Sequence, residues 1–196
     1  GERLILGVAT GDRPIEFPAF SVDANERGTL FQESIAVMRE VWAKNFPRIH
    51  TSRVDLMNGD LLPKPNLSSI PVMVTGHSSQ SPEWIAANSD GWIYYPRPLH
   101  YQAELIKNWR SLTDEFKPFT QSLYIDLTED PNHVPIPIHL GFRIGRNFLI
   151  EFLQALNDVG VNHIIINLKY GRRPVEEVIE ELGEYILPHF PALTED

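Results

Sequence analysis

The stretch from Ile70 to Pro96 constrains the fold more than any other part of the chain. It opens with Ile70-Pro-Val-Met-Val74, a short apolar run rich in β-branched residues, which predicts a strand buried on both faces. Gly76 to Gln80 is a small polar turn. Ser81-Pro-Glu83 then has the form of a helix start, with serine as N-cap, proline at the first helical position and an acid in the first turn. The helix is predicted to end near Asn88, and Gly91 to Tyr95 reads as a second buried strand. The result is a βαβ unit whose helix begins just past a strand end. Unpaired backbone N–H groups and a partial positive charge at such a spot suit a phosphate.

The rest of the chain repeats this alternation. Leu4 to Ala9 reads as the first strand, Thr10 to Pro14 as the loop at its C-terminal end, and Ile15 to Ala24 as irregular loop. Leu30, Phe31, Ile35, Met38, Val41 and Trp42 recur at the helical period, predicting a helix over 25–42. A small hairpin is expected around Asn58-Gly59. Beyond the central unit, Leu105, Ile106, Trp109 and Leu112 predict a helix over 99–116, and 122–127 reads as a strand. The proline-broken segment 128–146 is expected to be a lid-like excursion in which 138–144 pairs locally. A helix over 147–159 stops at Gly160, His163 to Leu168 is the last buried strand, and a single closing helix spans 174–187. Its apolar positions are Val175, Val178, Ile179, Leu182 and Ile186. Strands alternating with helices define an α/β chain with a parallel sheet, open or part of a barrel.

Composition narrows the function classes. At 196 residues the chain suits one domain, 1–196. A net charge of −9 argues against a nucleic-acid or anionic-membrane surface, and no apolar run is long enough to span a bilayer. With no cysteine, disulfides and thiol catalysis are excluded, and no HExxH-type spacing among the seven histidines suggests a metal site. A strand pattern begins almost at Gly1, so the sequence reads as cut from something larger, with apolar sheet edges that predict a homo-oligomer.

Several motifs, taken in order and spacing, resemble one family. They are Arg3-Leu-Ile-Leu-Gly-Val-Ala-Thr-Gly, Glu16-Phe-Pro-Ala-Phe with the helix after it, Leu62-Pro-Lys-Pro, Ile70-Pro-Val-Met-Val-Thr-Gly, Asp90-Gly-Trp and Gly160-Val-Asn-His-Ile-Ile-Ile-Asn-Leu. Together they resemble the bacterial-luciferase-like flavin-dependent monooxygenases from Arg3 to about Pro188. The resemblance implies an α/β fold that is a partial TIM-like (β/α) barrel of parallel strands, lacking the first three βα units. It also implies oxidation of a small-molecule substrate by reduced FMN and dioxygen, with a separate flavin reductase as supplier; the composition is in keeping with a cytoplasmic enzyme. In the family the early strands furnish part of the ring pocket and several catalytic groups. The expectation is therefore that this chain alone binds flavin weakly or not at all, and no catalytic residue is assigned. Alternatives are a non-catalytic flavin-binding or degenerate oligomeric protein and a deazaflavin-dependent dehydrogenase.

The candidate site follows from these motifs. Gly76 lets the backbone approach a phosphate, and the hydroxyls of Ser78, Ser79 and Ser81 can donate to it; the family uses this loop for the FMN phosphate. The competing reading is a serine-capped helix after a polar turn. His77 is either a ligand contact or a solvated turn residue. Thr10 and Gly11 end the first strand and could meet the flavin edge, while Arg13 could meet a substrate anion or only a neighbouring acid. Trp92, Tyr94 and Tyr95 could wall the ring, Tyr95 facing substrate, or be core. Arg143, Arg146, Arg172 and Arg173 fall in loops where they could contact an anionic substrate or simply be solvated. A serine hydrolase using Ser78 as an elbow nucleophile is the rival, although Gln80 stands where the elbow normally has glycine, and Asp126 and His163 are its candidate partners.

Overall fold

The computed structural model describes residues 4–66 and 70–191. These fall into two compact units, 1–92 and 93–196, with the division inside a strand.

In the first unit, β1 (Leu6–Val8) pairs in parallel with β4 (Val72–Thr75), Leu6 opposite Val72 and Val8 opposite Val74. Val72, Met73 and Val74 are buried, as a strand apolar on both faces requires. The first strand is shorter than its apolar run, and Leu4 and Ile5 are exposed. A short helix, α1 (Glu16–Ala19), stands where irregular loop was expected; the Arg13 carbonyl accepts from the Glu16 N–H at 3.0 Å and starts the turn. The long helix α2 (Arg27–Ala43) buries Phe31 and Ile35.

The small hairpin exists, but not at Asn58-Gly59. It joins β2 (Ile49–His50) to β3 (Asp55–Leu56) through Thr51–Val54. Thr51 Oγ1 accepts from the Val54 N–H at 2.9 Å, and Glu33 of α2 accepts from Ser52 Oγ at 2.6 Å and the Arg53 N–H at 3.2 Å. A helix side chain thus fixes the turn, which local turn propensity does not reveal. Two elements complete the unit: α3 (Pro82–Asn88), and β5 (Gly91–Tyr94), within which the units divide.

The second unit is built on β6 (Phe119–Leu127), longer than the expected 122–127. Two strands share one strand's length: β9 (His163–Asn167) pairs in parallel along Thr120–Tyr124, and β8 (Gly141–Ile144) along Tyr124–Leu127. The β7 segment (Ile136–Ile138) runs antiparallel to β8, so the predicted local pairing joins the sheet instead of forming a lid. At Gly141 a Cβ would sit 1.8 Å from the Tyr124 carbonyl oxygen, so only glycine permits this approach.

Three helices alternate with these strands along the chain. The first, α4 (Leu99–Ser111), ends before the expected Phe116, because the chain turns back until Trp109 and Arg110 both donate to the Lys117 carbonyl. The second, α5 (Arg146–Asp158), buries Leu149, Leu153 and Leu156. The third, α6 (Val175–Glu181), passes into a π turn (Leu182–Ile186) and a 3-10 turn (Leu187–His189), where one regular helix was predicted. Within this run Val178 and Ile186 are buried, but Val175 and Ile179 face solvent. A further correction concerns β9: His163 and Ile165 are exposed and the other three residues half-buried, although Ile164-Ile-Ile166 reads as a core run. Among the described residues β9 pairs with β6 alone.

The core of this unit includes Leu123, fully buried on β6. Leu123→Ala is expected to lower unfolding stability by about 2–5 kcal/mol, whereas Val175→Ala at an exposed position should stay within about 0.5 kcal/mol. Urea denaturation of the two variants beside the parent measures both.

Candidate functional site: the loop after strand β4

The chain leaves β4 through Gly76, His77, Ser78 and Ser79 and enters α3 at Pro82. Gly76, Ser78 and Ser79 all have positive φ, at 57°, 46° and 57°. For two serines this is strained backbone, on the order of 1–3 kcal/mol each. Surrounding bonds hold it. Ser78 Oγ donates to the Thr75 carbonyl at 2.8 Å, and Trp92 Nε1 donates to the Gly76 carbonyl at 2.6 Å. Gln80 is buried, its Nε2 donating to the Gly28 carbonyl at 2.9 Å and the Ser78 carbonyl at 3.2 Å, its Oε1 accepting from Gln32 Nε2 at 2.5 Å. Arg27, opening α2, donates from Nε to Ser79 Oγ at 3.0 Å. At Gly28 a Cβ would lie 3.2 Å from Ser79 Cβ and 3.3 Å from the Ser79 carbonyl oxygen, so glycine lets α2 sit tightly on the loop.

The three hydroxyls are not equivalent. Ser78 has committed its proton to Thr75. Ser81 Oγ accepts from the Trp84 N–H at 3.2 Å as the N-cap, and it also hydrogen-bonds Glu83. Ser79 accepts from Arg27 and keeps its proton for another acceptor. The backbone N–H groups of Ser78 and Ser79 have no partner among the described residues. Two donors and one hydroxyl beside a guanidinium can receive an anion. The helix itself contributes less than the sequence suggests, since α3 has seven residues and carries the acid Glu83 in its first turn.

The same unit holds a cavity of about 420 Å³ that no residue of the loop lines. Thr10 and Gly11 line it, together with Phe17, Phe31 and Ile35. Arg27 lines it too, so the cavity and the Ser79 hydroxyl share that side chain. Arg13 pairs with Glu16 at 3.1 Å on the surface. His77 sits edge-on to Trp92, ring centroids 5.6 Å apart. Trp92 and Tyr94 are core residues, whereas Tyr95, in the second unit, is exposed. Among described residues no cluster of histidines and carboxylates could hold a metal. Ser78 also lacks the base that a hydrolase needs, because among the described residues its hydroxyl has the Thr75 carbonyl as partner and no base. Sequence reading missed Arg27 and Gly28, which lie in an ordinary-looking helix start and carry no motif, and it gave the buried Gln80 no part in shaping the loop.

Known proteins agree with this architecture. The crystal structure of monooxygenase RslO1 from Streptomyces bottropensis is similar over 96% of this chain and 69% of that one, with 16% identity and a TM-score of 0.71. An F420-dependent secondary alcohol dehydrogenase in complex with an F420-acetone adduct is similar over 95% and 69%, with 14% identity and a TM-score of 0.76. The fold class is accordingly a partial TIM-like α/β barrel. The luciferase-like monooxygenase family matches residues 1–125, and the chain belongs to it. The uncharacterized protein Rv0940c of Mycobacterium tuberculosis is 24% identical over 172 residues, covering 86% of this chain and 52% of that protein. The chain thus spans about half the length of the curated relatives it matches first.

Two stability tests follow from the loop. Gly28→Val, which must push into Ser79, is expected to lower stability by about 1–3 kcal/mol, while Thr29→Val next to it, on an exposed position, should change little. The Glu83 carboxyl is held below its ordinary value of 4.5, first by its own backbone N–H and then by the Ser81 hydroxyl. A lowered folded pKa gives stability that is present above the unfolded value and lost as pH falls through the folded value. Glu83→Gln should therefore narrow the difference in urea midpoint between about pH 7 and about pH 3.

Proposed function

We propose that this chain is part of a flavin-dependent oxidoreductase of monooxygenase type, with the loop from Gly76 to Ser81 holding the FMN phosphate. The observation that carries this reading is the pair of unpartnered N–H groups on the left-handed residues Ser78 and Ser79, with Arg27 beside them. That donor set fits a phosphate. The Ser78 and Ser79 N–H groups and the Ser79 hydroxyl proton would donate to its oxygens, and the Arg27 guanidinium would balance its charge. Gly76, His77 and Ser81 frame the loop, Gly76 through its left-handed backbone and Ser81 by capping α3. Thr10 and Gly11, on the wall that shares Arg27 with the loop, are assigned to the flavin edge. Arg13 and Tyr95, both exposed, are assigned to a small-molecule substrate. When bound, the flavin would supply the redox chemistry with dioxygen, and the protein's share is to position it and keep water away.

A flavin reductase would deliver the reduced cofactor. The edge strand β1, with Leu4 and Ile5 exposed beside it, supports self-association. No described helix is long and apolar enough to cross a membrane, which is compatible with a cytoplasmic setting. The likeness to an F420-dependent dehydrogenase supports a second reading, in which a deazaflavin replaces FMN. Turnover that does not depend on oxygen would select it. No oxygen uptake above free-flavin autoxidation, with a reductase and FMN supplied, would select a non-catalytic flavin binder.

The phosphate assignment is tested by titrating the chain with FMN and with riboflavin, following backbone amide resonances. FMN is expected to bind at least about tenfold tighter, the magnitude of one charge-assisted hydrogen bond. Ser79→Ala should remove most of that advantage and Ser78→Ala less, since only Ser79 keeps a free proton. Equal affinity for the two flavins would refute the assignment.

A further inference from the structure

The second unit contains a cavity of about 360 Å³ that the flavin reading does not use. It lies at the C-terminal ends of β6 and β8, and Asp126, Arg143, Arg172 and Arg173 form its wall. Ligands of α/β folds collect at this end of the strands.

Two arginines on that wall share one carboxylate. Asp126 is buried, with 5% of its side chain exposed, and its Oδ2 faces two guanidinium groups, Arg172 Nε at 3.3 Å and Arg143 Nε at 3.8 Å. Its Oδ1 accepts the Arg172 backbone N–H at 3.2 Å. Arg173 is engaged elsewhere, with Glu181 and with Glu177, and Glu181 also takes Arg146 at 3.1 Å. One carboxylate therefore serves both Arg143 and Arg172, and Glu129 and Asp130, the other acids lining the cavity, pair with neither. The terminal nitrogens of Arg143 and Arg172 have no hydrogen-bond partner among the described residues. Buried nitrogens on the same wall, Arg143 Nε and Arg173 Nε, also lack a hydrogen bond. The wall is short of acceptors.

We propose that this cavity binds the carboxylate of a small organic acid between the free guanidinium ends of Arg143 and Arg172. Asp126 acts as the anchor that orients both forks, and a planar carboxylate matches their parallel N–H donors. A monoanion suits a cavity whose lining already holds three acids beside its three arginines. The exposed carboxylates of Glu129 and Asp130, which also line the cavity, disfavour a phosphate dianion.

Arginine Nε–H resonances of the full chain, free of flavin, report the site directly when acetate or inorganic phosphate is added at constant ionic strength. Acetate is expected to shift the Arg143 and Arg172 signals saturably, with phosphate at least about tenfold weaker. Arg172→Gln should weaken acetate at least about tenfold, the loss of one charge-assisted donor pair. That side chain is 70% exposed, so its loss does not endanger folding, and unchanged circular dichroism verifies this. Arg48→Gln, on an exposed residue remote in sequence from the cavity, is the control and should leave the affinity unchanged. Absence of saturation, phosphate binding as tightly as acetate, or unchanged acetate affinity in Arg172→Gln would each overturn the proposal. Because no flavin is present, these results are independent of the phosphate assignment at Ser79.

Discussion

The buried amide of Gln80 is the contact on which the candidate site depends. An amide out of water without partners is destabilising by several kcal/mol, so its position is dictated by where its hydrogen bonds can be made. Here they reach two separate pieces of backbone, Gly28 on α2 and Ser78 in the loop, and a side chain on α2, Gln32. The loop is thereby riveted to the helix from inside. Two left-handed serines are strained by an amount comparable with the net worth of these bonds, at about 0.5–1.5 kcal/mol apiece. Neither would persist alone. Gly28 completes the arrangement by removing the one atom that would hold helix and loop apart.

That geometry has a chemical consequence. In ordinary turns the N–H groups of successive residues find carbonyls in the same turn. With Ser78 and Ser79 both left-handed, and the Ser78 carbonyl taken by Gln80, their N–H groups are left over. Donors left over in this way are open to water or to a bound acceptor. On the proposed reading, strain held by the interior becomes binding capacity at the surface, the usual direction of inference from a backbone outlier to function.

What the sequence disclosed was local, and what it hid was tertiary. The Ser81 cap, the buried run of β4 and the apolar stripe of α5 depend on neighbours within a turn or two, and each was legible. The hairpin was misplaced because Glu33, far away in sequence, holds Ser52 and Arg53. The length of β6 was underestimated because it serves β9 and β8 in tandem, a demand absent from its own residues. Phe119, Thr120 and Gln121 look unremarkable until β9 is placed beside the latter two. The closing helix was read at one period throughout, and the π turn at Leu182–Ile186 breaks that period. At the site itself, Gln80 was seen only as a residue unfit for a hydrolase elbow, although its burial is what shapes the loop.

Counting hydroxyls in a sequence also differs from counting protons in a structure. Ser78, Ser79 and Ser81 look alike as candidate donors, yet one bonds a carbonyl, one caps a helix and holds Glu83, and one remains available. The charges nearby are opposed in the same way. Glu83, in the first turn of α3, would repel a phosphate that Arg27 attracts, and a helix of seven residues adds little to settle the contest. On the proposed reading, selectivity for a phosphate has to come from short-range, directional donation by Ser78 and Ser79 and from Arg27. A point charge can be screened or neutralised by a neighbour of opposite sign. An N–H group fixed by left-handed backbone keeps its direction, and that direction survives only while Gln80 remains buried against α2.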